Sequence, residues 1–99
     1  MKIKIVTMCG SMKFNKEMRA IARKLETKQG WGVIQCIYSK KTDKFDNVDE
    51  MHNIEVAHYK KIEMSDAIYV VNIGGYIGEA TKRAIAYAKK CGKEIIYHE

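Results

Sequence analysis

The chain has 99 residues, a hydrophobic fraction of 46% and a formal charge of +6. That length makes one small domain, and a chain so short buries only about 60–65% of its unfolded surface, so a second copy would add stability. No apolar run approaches the roughly 18 residues of a membrane span, and no secretory pattern follows Met1.

Cys9, Cys36 and Cys91 are widely spaced and form no CxxC or Cys/His cluster. This argues against a bound metal and for reduced thiols in the cytoplasm. No cofactor is expected. The lysines are scattered along the chain, which fits either a solvated surface or a field that draws anionic ligands such as nucleotides. No basic run with interleaved aromatics appears, so nucleic acid is not an expected partner.

In chain order, residues Lys2 to Met8 read as a first strand, apolar towards its end as an interior parallel strand should be. Cys9 to Phe14 forms the turn after it. A helix follows to about Lys28, with Met18, Ile21, Ala22 and Leu25 at i, i+3, i+4 and i+7, and Gly30 ends it. Trp31 to Tyr38 reads as a second strand whose polar positions suit an edge. Ser39 to Val48 is polar and charged and reads as a loop. A second helix runs from about Asp49 to Met64, with Met51, Ile54, His58 and Ile62 on its inward stripe. Ala67 to Val71 is a β-branched buried strand. The turn Asn72 to Glu79 then leads into a third helix, which carries Ile77, Ala80, Thr81, Ala84, Ile85 and Ala88 on one stripe. Lys93 to Tyr97 is a last short strand.

Alternation of this kind predicts an α/β fold: a small doubly wound, Rossmann-like parallel sheet of four strands in order 2-1-3-4, with helices on both faces. In that order strands 1 and 3 are neighbours at the switch point, where a crevice opens at their carboxyl ends. The turns Cys9–Phe14 and Asn72–Glu79 then face each other.

Each candidate residue has a plain reading beside its functional one. Gly10 and Ser11 precede a helix, where free amides and a hydroxyl suit an anion; a simple Ser cap is the alternative. Glu79 falls off the packing stripe of its helix. It either complements the helix dipole or is a reactive carboxylate at the crevice. His58 is an ionisable group on an apolar face, either a satisfied core residue or a proton donor or acceptor near neutral pH. Tyr76 either covers a ligand or staples its turn. Asn72 either orients Glu79, binds a sugar hydroxyl or caps the turn.

The run Cys9-Gly10-Ser11-Met12-Lys13 resembles the nucleotide-binding loop of 2'-deoxynucleoside 5'-phosphate N-hydrolases. Gly75-Tyr76-Ile77-Gly78-Glu79 resembles the nucleophile turn of nucleoside 2-deoxyribosyltransferases. The similarity spans nearly the whole chain in element order, and lies nearest to short deoxyribosyltransferase-like proteins. It implies an enzyme in which Glu79 attacks the anomeric carbon of a deoxyribose, releasing the base, and the sugar then passes from the glutamate to water or to another base. It also implies a nucleoside or 5'-monophosphate held by Gly10, Ser11, Lys13, Asn72, Gly75, Tyr76 and Gly78, and a homodimer or larger assembly. In the enzymes of that family an Asp protonates the leaving base; the corresponding position here is His58, a departure. The rival expectations are a nucleotide-binding module without turnover and a purely structural domain.

Overall fold

The computed structural model describes residues 4–38 and 48–99. The expectations for Lys2, Ile3 and the loop up to Asn47 lie outside the described residues. The elements are strand β1 (Ile5–Gly10), helix α1 (Asn15–Lys24), strand β2 (Gly32–Ile34), helix α2 (Val48–Met64), strand β3 (Ala67–Val71), helix α3 (Glu79–Lys90) and strand β4 (Glu94–Tyr97). They form a four-stranded sheet in order β2-β1-β3-β4, parallel throughout. The predicted fold class and strand order are those observed.

Side-chain alternation divides the core between the two faces of the sheet. Val6 and Met8 of β1, with Ala67 and Val71 of β3, pack against Met18, Ala22 and Leu25 on one face. Cys9, Ile68 and Val70 pack against Ile62 of α2 and Ala84, Ile85 and Ala88 of α3 on the other. Thr7 is buried on this second face, where its hydroxyl donates to the Lys61 carbonyl at 3.1 Å and pairs with the Ser65 hydroxyl.

Four local expectations need correction. β1 continues through Cys9 and Gly10, because β3 supplies partners opposite them, Val70 and Val71. A 3-10 turn, Met12–Phe14, separates the strand from α1. β2 has only three residues rather than eight. It is an edge strand whose pairing with β1 ends at Thr7 and Ile34; beyond it, the Gln35 carbonyl accepts from Lys61 Nζ at 3.0 Å. α1 ends at Lys24 and a wider π turn, Leu25–Gln29, carries the chain to Gly30 at φ 70°.

The fourth correction concerns Met51, which is 57% exposed rather than inward. α2 has 17 residues, about 25 Å at 1.5 Å each. β3 has five, about 17 Å. The first turns of α2 therefore overhang the carboxyl ends of the strands. Their apolar stripe has no sheet beneath it and lines a cleft instead.

Candidate functional site

That cleft has a volume of about 630 Å3. Its floor is Cys9 and Gly10 at the end of β1, and Cys36 and Ile37 close one side after β2. Met51, Ile54 and His58 come from α2, and Ala80, Thr81 and Ala84 from the opening turns of α3. The walls are mainly apolar, with a few polar groups that include Glu55, Lys61 and Arg83. This combination suits a small organic molecule. The position, outside the carboxyl ends of β1 and β3, is the switch point that the alternation predicts.

Of the residues expected in the site, Gly10 and His58 line the cleft. His58 Nε2 lies 3.3 Å from Cys9 Sγ. Burial is the main cause that lowers the His58 pKa, and Lys61 adds to it. Burial also pushes the Cys9 thiol up, with Cys36 a lesser cause. Both groups are thus held in their neutral forms near neutral pH.

The glycine at position 10 has a packing reason. A Cβ there would stand 2.8 Å from Met18 Sδ and 3.3 Å from Val71, and Met18 is itself buried. Met18 of α1 and Val71 of β3 leave little room for a side chain at this position whether or not a ligand binds.

Ser11, Lys13, Tyr76, Gly78 and Glu79 lie at the adjoining edge, where the two turns meet. Ser11 Oγ accepts from the Lys13 amide at 3.3 Å, so the hydroxyl serves as a cap. Lys13 Nζ sits 3.7 Å from the centre of the Tyr76 ring, whose edge-to-face neighbour is Phe14 at 6.0 Å. A Cβ on Gly78 would lie 3.9 Å from Ser11 Cβ, so the two turns are in contact there. Gly74 and Gly75 have φ of 66° and 79°, a left-handed pair that only glycine adopts cheaply.

Glu79 opens α3, and its side chain is 82% exposed beside Lys82 Nζ at 3.2 Å. An exposed pair of this kind is worth little, so its carboxylate is easily diverted to another partner. Glu79 does not line the cleft, but the next two residues, Ala80 and Thr81, do.

Asn72 is engaged elsewhere. Its amide donates to the Glu99 carbonyl at 3.3 Å and its Oδ1 accepts from the Glu99 amide at 2.8 Å. The Glu99 carboxylate accepts from the Gly74 amide at 3.0 Å. Asn72 therefore pins the residues after β4 to the turn, and no contact with Glu79 accompanies this.

The sequence reading missed Cys9 and Arg83 as residues of the site. Alternation along β1 puts Cys9 on the same face as Thr7, the face that α2 covers. Arg83 stands one helical turn after Glu79, and its Nε donates to Glu55 Oε1 at 3.0 Å. Glu55 also accepts from the Tyr59 hydroxyl at 2.6 Å, and these bonds lower its pKa. Tyr59 stacks on Tyr87 at 4.4 Å, so α2 and α3 are tied together along the cleft wall.

Among the described residues, no group of three or more His, Cys, Asp and Glu is placed to hold a metal ion. No helix among them is long and apolar enough to cross a membrane. No protein-family model matches the chain, and no curated protein matches it in sequence.

Proposed function

We propose that the protein cleaves or transfers the N-glycosidic bond of a deoxynucleoside or its 5'-monophosphate in the cytoplasm, with Glu79 as nucleophile. The observation that carries this reading is the convergence of the two turns beside the cleft. An available carboxylate opens α3 at the point where that helix begins to line an apolar pocket. The base would occupy the cleft, and the sugar would lie at its edge by Gly78 and Glu79. The phosphate would lie towards Ser11 and Lys13.

In the first step the Glu79 carboxylate bonds to the anomeric carbon as the bond from that carbon to the base nitrogen breaks. The electron pair leaves with the base. His58 supports the departing base by a hydrogen bond. In the second step water or another base attacks the anomeric carbon and frees Glu79. Both steps follow the retaining pattern of glycoside chemistry. A homodimer would cover part of the exposed apolar surface of so short a chain.

The test is incubation with a panel of deoxynucleosides, ribonucleosides and their 5'-monophosphates, with chromatography for free base. Release of base from deoxyribose substrates, lost in Glu79→Ala, is the expected result. A second reading, a binding module without turnover, is favoured by the lowered pKa of His58, which leaves little imidazolium to protonate a leaving base at neutral pH. Binding of the panel by calorimetry with no base released under any condition would establish that reading instead.

A further inference from the structure

The His58–Cys9 contact has a direction. We infer that Cys9 fixes the tautomer of His58: the thiol donates to Nε2, and the ring proton sits on Nδ1 as a neutral hydrogen-bond donor for the ligand in the cleft. The identity of the ligand's acceptor, a ring nitrogen or carbonyl of a base, rests on the function proposed above. The tautomer does not.

The assignment rests on the geometry around the two groups and on their burial. Cys9 Sγ has two acceptors within reach, His58 Nε2 at 3.3 Å and the Thr7 carbonyl at 3.8 Å. The shorter contact also has the better matched partners. An imidazole nitrogen is a good acceptor, whereas a neutral thiol sulfur is a weak one, so S–H to nitrogen is preferred over N–H to sulfur. Cys9 is 2% exposed, so no water competes for its proton. Burial acts in the same sense on both groups, keeping the thiol protonated and the imidazole neutral. Lys61, on the same helix, further disfavours imidazolium. The charged groups brought to the cleft from α3 and α2, Arg83 and Glu55, are paired with each other. Nδ1 has no protein partner among the described residues, and His58 lines the cleft.

This changes what His58 does. A neutral imidazole that donates from Nδ1 stabilises negative charge growing on a leaving base without giving up its proton. The base departs with its electron pair held by that hydrogen bond and takes its proton from solvent. Cys9 is then a positioning residue: it acts through His58, deciding which ring nitrogen carries the proton offered to the ligand.

The experiment is nitrogen-15 NMR of the histidine rings in the full chain at pH 8. His58 is assigned by the signals lost in His58→Gln, since the chain has three histidines. The expected result is a protonated Nδ1 and an unprotonated Nε2 in the unsubstituted protein. Cys9→Ala should shift the ring towards Nε2–H, and Cys9→Ser, which keeps a donor, should retain the original tautomer. A proton on Nε2 in the unsubstituted protein overturns the inference, as does a tautomer unchanged in Cys9→Ala. A purely packing role for Cys9 predicts that unchanged tautomer. Because the first measurement needs no variant, misfolding of Cys9→Ala leaves the test decisive. The base-release assay reads a separate question: Nδ1–H with no turnover keeps this inference and removes the glycosidase, and turnover with Nε2–H does the reverse.

Discussion

The Lys13 ammonium lies 3.7 Å from the centre of the Tyr76 ring, joining the turn after β1 to the turn after β3. The contact is a cation–π pair at an exposed site, worth about 0.5–1 kcal/mol. Its loss is therefore a small cost if the ammonium turns to a ligand anion, and Lys13 and Ser11 are the groups proposed to meet a 5'-phosphate. Lys13→Gln and Ser11→Ala should each weaken a 5'-monophosphate by about 1–2 kcal/mol, the scale of one lost charge-assisted bond. The matching nucleoside should bind almost as before. Calorimetry on both ligands checks this, and equal weakening of the two would show that the turn does not hold the phosphate.

Glu79 is proposed as the nucleophile in a covalent step, so its removal should act on turnover and not on binding. Glu79→Ala and Glu79→Gln should abolish base release and change ligand affinity by less than about threefold, because the Glu79–Lys82 pair is an exposed one of little energy. Intact-mass spectrometry on the unsubstituted protein during turnover should show a species heavier by one sugar. Full activity in Glu79→Gln would end the nucleophile proposal.

His58 makes stability depend on pH with a definite sign. Its pKa is lowered in the folded chain, so below about 6.5, the ordinary histidine value, the unfolded state binds the proton more readily. The stability that His58 contributes is complete above that value. It is lost as pH falls from there through the lowered folded pKa, and levels off below it. Urea unfolding between pH 8 and pH 5 should show a smaller loss for His58→Gln than for the unsubstituted protein. Parallel curves for the two would mean that the histidine is not held neutral.

Gly10 gives a prediction about packing alone. Gly10→Ala would force a Cβ to within 2.8 Å of the buried Met18 Sδ and 3.3 Å of Val71. Overpacking of this kind costs about 1–3 kcal/mol, and urea unfolding should show a loss in that range. No loss would mean that the Met18 side chain turns aside without cost.

The assembly prediction is a homodimer at micromolar concentration. Met64, at the end of α2, is 76% exposed, and Ile37, Met51 and Tyr97 are exposed too. A short chain gains more than a long one by covering such surface. Sedimentation equilibrium should give twice the chain mass, and a monomer mass would count against the proposal.

The sheet was legible in the residues alone. Strict alternation of strand and helix patterns, with a right-handed crossover rule, leaves few topologies, and the order expected among them, with strands 1 and 3 adjacent, is the one observed. It also located the crevice and the meeting of the Ser11 and Gly78 turns, because both depend on topology and not on side-chain detail. Glu79 pointing away from the packing face of α3 was legible for the same reason: helical periodicity fixes direction.

The features that periodicity does not reach depend on element lengths and on partners far apart in the chain. The inward stripe of α2 reads the same from Met51 to Ile62, yet its first turns overhang the strands, and the overhang made Met51 a cleft residue. Cys9 meets His58 across 49 positions, and Asn72 meets Glu99 across 27. Periodicity assigns each of these side chains a face of its own element. Whether two faces bring given atoms within bonding distance is set by strand register, helix overhang and rotamer choice in the packed core, and these are properties of the assembled fold.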